Sequence, residues 1–236
     1  MAGDRPLMVI TGASRGIGRG LVEHFVGSGY RVAGCSRGPA TFDHEHYVHS
    51  QRDVTDESAV RSWVRSIGRD LGAIDVLVCN AGAARAARLL TMTDGSMLDE
   101  VIRSNVYGTY FVCREVARSM MTAGSGRIVT ISSMAVGLHE EGTSAYGAAK
   151  AAIVEMTKVL AKELAPHGIT ANVVAPSMYP SDAFSALGEG VQERARGKLT
   201  IQRTLTIAEI ANVVAFFAAP ESRAVTGQVI HLGLVV

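Results

Sequence analysis

The sequence contains no apolar run approaching the roughly 18 residues that would cross a bilayer, so its pattern offers no transmembrane helix and no membrane partner. It has almost no charge imbalance either. A formal net charge of +1 is not the electrostatic footprint of a nucleic-acid binder. Cysteine is scarce: Cys35, Cys79 and Cys113 each sit inside an apolar run, and no Cys-x-x-Cys pattern joins them. That excludes a disulfide framework and a dithiol redox motif, and reads as reduced structural thiols in a reducing compartment. The opening Met1-Ala-Gly-Asp-Arg-Pro6 is polar and leads into a short apolar segment, which is not the pattern of a signal peptide. Low-complexity linkers and internal repeats are absent from the sequence too. These features together read as a soluble, cytoplasmic protein.

What is present suits a folded α/β chain. Hydrophobic residues make up 47% and charged residues 19%, enough apolar material for a sizeable core and no disorder signature. Short apolar runs predict strands over residues 7–10, 31–35, 47–50, 74–79, 127–132, 170–175 and 228–232. Several are apolar on consecutive residues, as strands buried on both faces of a parallel sheet are. Helical patterns lie between them over 17–26, 57–71, 96–122, 145–164 and 208–218. Repeated strand–crossover–strand units predict a doubly wound, Rossmann-type parallel sheet of about seven strands with helices on both faces. With no linker to divide it, the chain reads as one domain over residues 1–236. The stretch from Ser181 to Arg203 mixes Phe184 and Leu187 with glycines and charges. Placed after a strand of such a sheet, it reads as a lid over a bound ligand, about 178–203, or as an ordinary surface helix pair.

Three local patterns carry chemistry. After the first strand comes Thr11-Gly-Ala-Ser-Arg-Gly-Ile-Gly18. Its glycines allow a tight turn and close approach of backbone to phosphate, and the helix that follows offers free N–H groups to a pyrophosphate. The second strand ends Ala33-Gly-Cys-Ser-Arg37, where a sheet that prefers NAD usually carries an acid. Ser36 and Arg37, with Arg15 in the glycine turn, suit the 2′-phosphate of NADP(H), or are merely solvated side chains. Tyr146 and Lys150 lie four apart in the Ala-rich Ser144-Ala-Tyr-Gly-Ala-Ala-Lys150 and share one helix face. An ammonium beside a phenol favours phenolate, so the expectation is a Tyr146 pKa lowered toward the operating pH. Alone, such a pair is common and mostly packs and solvates.

Together these residues resemble the short-chain dehydrogenase/reductase superfamily over nearly the whole chain, most of all the group that includes 3-oxoacyl-(acyl-carrier-protein) reductase. The glycine turn supplies Gly12, Ser14, Arg15, Gly16, Ile17 and Gly18. Asp53-Val54 matches the pair that touches adenine, and Cys79-Asn80-Ala81-Gly82 matches the Asn-Asn-Ala-Gly turn. Asn105, in Ser104-Asn-Val-Tyr-Gly108, matches a catalytic Asn. Ser133, thirteen residues before Tyr146, matches a catalytic Ser, with Ser132 as its neighbouring alternative. The resemblance implies that Ser133 bonds the substrate carbonyl and Tyr146 delivers the proton. It implies further that Lys150 holds the nicotinamide ribose and keeps the Tyr146 pKa low, and that Asn105 anchors a water. Pro176, Ser177, Tyr179 and Ser181 stand at positions that contact the cofactor in relatives.

The chain departs from that pattern in four places. Pro176-Ser177 replaces Pro-Gly and is followed by Met178-Tyr-Pro-Ser-Asp182, with Pro180 bending the start of the lid. The segment after Arg37 is too short for the usual helix. His231-Leu-Gly-Leu-Val-Val236 lacks the usual Asp/Asn-Gly-Gly, and Cys79 replaces an Asn.

The resulting expectation is an NADPH-dependent carbonyl reductase acting on a 3-oxoacyl thioester or polyketide-like β-keto substrate, free or held by an acyl carrier protein. The alternatives are a reductase of a specialised-metabolism ketone, alcohol or sugar, and a non-catalytic NADPH sensor or scaffold. A homodimer or homotetramer is implied by resemblance. His44, His46 and His49, with Glu45 and Asp53, match no zinc spacing and read as a solvated loop, with no metal expected. His139, Glu140 and Glu141 read as a substrate-lining loop or a plain surface loop. Arg118 and Arg127 read as carrier-docking or solvated side chains.

Overall fold

A computed structural model describes residues 5–83, 87–180 and 188–236. In chain order the elements are β1 (Leu7–Thr11), α1 (Gly16–Gly27), β2 (Arg31–Ser36), β3 (Tyr47–Gln51), α2 (Glu57–Asp70), β4 (Val76–Cys79) and α3 (Gly95–Ile102). A π-helical turn (Arg103–Tyr107), α4 (Gly108–Ala123), β5 (Gly126–Ile131), the single turn α5 (Ala135–Leu138) and α6 (Ser144–Leu164) follow. β6 (Ile169–Pro176), α7 (Glu189–Gly197), α8 (Ile207–Ala218) and β7 (Val229–Leu232) complete the described residues.

The strands form one seven-stranded sheet in the order β3-β2-β1-β4-β5-β6-β7, every neighbouring pair parallel. Consecutive apolar residues explain this arrangement. Along β1, Leu7 and Val9 face a cluster built with α2, α4 and α6, while Met8 and Ile10 face one built with α1 and α8. Side chains alternate along a strand, so only a strand covered on both faces can bury all of them. After β3 the chain crosses to the other side of β1, and the crevice where the order reverses lies beyond the C-terminal ends of β1 and β4. In open parallel sheets, ligands bind there.

The helix expected over 96–122 is broken. At Arg103–Tyr107 the backbone widens into a π turn. The Asn105 side-chain amide donates to the Val101 carbonyl at 2.9 Å. That is the acceptor which residue 105's own N–H would use in an α-helix, so the side chain competes with the helical ladder and favours the wider turn. The expected strand and helix bounds otherwise hold to within a few residues. No helix runs between β2 and β3. Instead Thr41 of that connector donates its hydroxyl to the Ser14 carbonyl at 2.6 Å, tying it to the glycine turn. Among the described residues no helix is long and apolar enough to cross a membrane.

Leu77 in β4 is fully buried among the side chains beneath α2 and α4. Leu77→Ala is expected to cost about 2–5 kcal/mol of unfolding free energy through lost burial and a residual cavity. Denaturant unfolding measures it, and a cost no larger than that of a surface substitution would contradict the packing described.

Candidate active site

The ends of β1 and β4 are sewn together by side chains. Asn80 Nδ2 donates to the carbonyls of Thr11 at 3.0 Å and Gly12 at 3.3 Å. In return the Thr11 hydroxyl accepts from the backbone N–H groups of Asn80 at 3.1 Å and Ala81 at 3.0 Å. Gly12 turns with φ of +70°. A Cβ on Gly18 would stand 2.1 Å from the Gly12 carbonyl oxygen, so only glycine lets α1 begin this close to the strand. Arg15 is the N-cap of α1, and its side chain makes no cap hydrogen bond. The first N–H groups of α1 therefore face the crevice uncapped by it. Ser14, Gly16 and Ile17 complete this turn. The sequence places Thr11 at the head of the glycine turn, and Asn80, Ala81 and Gly82 in a turn beside it, but assigns no role to the Thr11 hydroxyl; a hydroxyl residue at a strand end before the first glycine was the available signal.

On the far side of the turn, Ser36 and the exposed Arg37 stand at the end of β2. Neither Arg15 nor Arg37 pairs with an acid among the described residues. Asp53 caps a turn, its carboxylate accepting from the Thr55 N–H at 2.9 Å. Val54 is buried against Gly108, where an added Cβ would come within 2.5 Å of Val54 Cγ2.

Below the switch point a second cluster converges. Lys150, from α6, is 4% exposed and donates from Nζ to the Ile131 carbonyl at 2.9 Å. Its Nζ lies 5.7 Å from the centre of the Tyr146 ring. A Cβ on Gly82 would lie 3.4 Å from Lys150 Nζ and 2.3 Å from Asn105 Oδ1, so a bare backbone separates the two side chains. Asn105 is fully buried, and its amide donates to the Ala83 carbonyl at 2.9 Å as well as to Val101. Asn105 Oδ1 is buried without a protein partner. Ser133 hydrogen-bonds the Tyr146 phenol and accepts from the Ala135 N–H at 3.2 Å. Ser132 faces elsewhere, its buried hydroxyl donating to the Lys150 carbonyl at 3.1 Å. The structure thus brings Asn105, Ser133, Tyr146 and Lys150 together.

Their electrostatics differ from the expectation of a lowered tyrosine. Burial raises the Tyr146 pKa above its ordinary value, and the Ser133 hydrogen bond only partly opposes this. Burial also lowers Lys150, to about 8. The lysine was expected to stabilise phenolate, but both charged forms lose hydration in the same dry site, and that loss dominates.

Pro176 closes β6, its carbonyl accepting from Met134 N–H at 3.0 Å. Ser177 is 8% exposed, and its hydroxyl, without a protein partner, faces Gly233. Tyr179 packs into the cluster under α1 and α8, and Pro180 is exposed. Ser181 and the rest of residues 181–187 of the expected lid lie outside the described residues. The described part, α7 with Lys198 at its end, is anchored by a Lys198–Glu140 ion pair to the loop after α5. That loop turns at His139, which adopts a left-handed φ of 51°. With Leu90 and Gly147 it lines a cleft of about 490 Å³ that adjoins Tyr146 without including it. Arg118 bonds Glu115 and Arg127 bonds backbone carbonyls, both away from this cleft. Among the described residues no group of three or more His, Cys, Asp or Glu side chains converges to hold a metal ion. The three cysteines are free and buried.

The profile of a family described as enoyl-(acyl carrier protein) reductase matches residues 12–233. The 3-oxoacyl-(acyl-carrier-protein) reductase of Vibrio harveyi is 34% identical over 232 residues, covering 96% of this chain and 95% of that protein. The protein of the same description from Escherichia coli is 34% identical over 232 residues, with the same 96% and 95% coverage. Among solved structures, ElxO with NADP bound is similar at a TM-score of 0.90 and 28% identity, covering 96% of each chain.

Replacing Thr11 by Val keeps the shape and removes the acceptor of two backbone N–H groups. Leaving them unpaired is expected to destabilise the protein by about 1–3 kcal/mol. A denaturant midpoint unchanged in Thr11→Val would show that the hydroxyl does not hold the strand ends.

Proposed function

This chain belongs to the short-chain dehydrogenase/reductase family of oxidoreductases, and on that premise we propose that it is an NADP(H)-dependent carbonyl reductase that turns a ketone into a secondary alcohol. The observation that carries the reading is the convergence of Ser133, Tyr146 and Lys150, with Asn105 behind the bare backbone of Gly82. The glycine turn fits a dinucleotide: the cradle between Gly12, Gly18 and Asn80 has no room for a Cβ, and uncapped helix N–H groups suit a pyrophosphate. Arg15, Ser36 and Arg37 offer two guanidiniums and a hydroxyl to a 2′-phosphate, and no acid stands at Ser36 to repel one.

Bound NADPH would supply the hydride. Tyr146, kept as a neutral phenol by its burial, donates its proton to the carbonyl oxygen as charge develops there. Ser133 offers its hydroxyl to the same oxygen. Lys150, its Nζ 5.7 Å from the centre of the Tyr146 ring, stabilises the phenolate that results after the proton has left. The buried, unpartnered Asn105 Oδ1 is the acceptor available to a water that relays protons toward Lys150. Asp53, Val54, Asn80 and Ala81 would flank the nucleotide, and Pro176, Ser177 and Tyr179 would lie toward its nicotinamide end.

The 3-oxoacyl-(acyl-carrier-protein) reductases among the relatives favour a β-keto thioester as substrate, delivered free or on an acyl carrier protein. A ketone of another class is favoured by one observation: the end of β6 carries Ser177, whose buried hydroxyl has no protein partner, and the inward-packed Tyr179. Turnover of acetoacetyl thioesters against a panel of free ketones separates the two, and activity confined to the thioesters would remove the second.

Tyr146→Phe is expected to lower kcat for ketone reduction by about 10²–10⁴-fold while NADPH still binds. Unimpaired reduction in Tyr146→Phe, or an absence of NADPH binding in the wild type, overturns the reading. Lys150 is charged below about 8 and neutral above it, and Tyr146 remains protonated throughout that range. Reduction is therefore expected to be full on the acid side and to decline as pH rises through about 8, with the decline absent from Lys150→Arg.

A further inference from the structure

His49 belongs to no solvated loop. It lies in β3 opposite Gly34 of β2, and in this register Tyr47, His49 and Ser36 share one face of the sheet. A Cβ on Gly34 would stand 2.6 Å from the Tyr47 hydroxyl, so the missing side chain makes room for that phenol. The Tyr47 hydroxyl lies 2.7 Å from His49 Nδ1. On the other side of the ring, His49 Nε2 is 3.1 Å from Ser36 Oγ and 3.1 Å from the Gly38 carbonyl oxygen. Ser36 itself donates to that carbonyl at 2.9 Å. A phenol that donates to Nδ1 leaves Nε2 carrying the ring proton, as a donor. The Gly38 carbonyl thus has two side-chain donors, Ser36 and His49.

We propose that His49 is a positioning residue for recognition of the cofactor's 2′-phosphate, an inference that rests on the NADP(H) reading above. With the His49 N–H holding the Gly38 carbonyl, Ser36 can turn its proton to a phosphate oxygen without leaving that carbonyl unpaired. His49 also keeps this carbonyl, the negative end of a dipole, bonded beside Ser36 and Arg37, where an anion must sit. Removing the ring forces Ser36 to choose between the carbonyl and the phosphate. The penalty falls on the 2′-phosphate alone, because NADH carries a hydroxyl there that gains little from Ser36.

Calorimetric titration of the purified protein with NADPH and with NADH tests this, alongside thermal unfolding. His49→Leu is expected to weaken NADPH about tenfold and NADH by less than about twofold. His49→Gln, whose amide N–H replaces the Nε2 donor, is expected to recover most of the NADPH affinity. Should His49→Leu fail to fold, Tyr47→Phe, which frees the ring to change tautomer, is expected to narrow the same selectivity. Equal losses for both nucleotides would make His49 a purely structural residue and overturn the proposal. So would selectivity that stays at the wild-type value in His49→Leu, or in Tyr47→Phe where His49→Leu does not fold. A wild type that binds NADH as tightly as NADPH would sink the cofactor reading and this proposal with it.

Discussion

Four hydrogen bonds between Thr11, Gly12, Asn80 and Ala81 hold the ends of β1 and β4 in one piece, and the site depends on that seam. These two strands flank the reversal of strand order, where a parallel sheet opens a crevice. Each carries a different half of the site. The continuation of β1 is the glycine turn, which aims the N-terminus of α1 at the crevice. The continuation of β4 is Asn80-Ala81-Gly82, which reaches Asn105 and Lys150. A shift of one strand end against the other would move the glycine turn relative to the cluster of Asn105, Tyr146 and Lys150. Buried backbone groups with good partners resist such a shift, because breaking them exposes donors and acceptors that water cannot reach.

Dryness sets the chemistry of the second cluster. Burial raises the phenol of Tyr146 and lowers the ammonium of Lys150 to about 8, so the two pKa values move apart and the lysine loses its proton at lower pH than the phenol. A phenol held neutral beside a charged lysine is poised to give up a proton, and the ammonium then stands next to the phenolate it leaves. A lysine that simply ionised the tyrosine beforehand would leave nothing to donate in the direction of reduction. The same reasoning makes the oxidation direction favour higher pH, where the proton has a sink.

The sheet was legible in the sequence because its strands are apolar on both faces, a signal that turns and charged helices do not imitate. The glycine turn and the Tyr146–Lys150 spacing were legible too, since both are local patterns. The π turn was not, because Asn105 distorts the helix through carbonyls at Ala83 and Val101 that only the folded chain brings within reach. The raised tyrosine was missed for a related reason: spacing reveals a neighbouring cation but not how much water surrounds the pair. Thr11 and Ser132 were ambiguous as letters and became distinct only by their partners, one joining two strands and the other bonding the Lys150 carbonyl.

The connector after Arg37 shows how a shortened chain changes the way specificity is built. With no helix between β2 and β3, no second layer is available to support Ser36 from that side. Support comes instead from the neighbouring strand, where Tyr47 and His49 present polar atoms at a period of two along the same face. Gly34 is required by this solution, since any side chain there would occupy the place of the Tyr47 hydroxyl. The Thr41 bond to Ser14 then closes the connector over the glycine turn, so the end of β2 and the glycine turn are held by one short loop. A helix would supply stiffness through its own ladder of hydrogen bonds. Here stiffness rests on a few side-chain bonds, and under the proposed reading nucleotide selectivity would depend on residues that never touch the nucleotide.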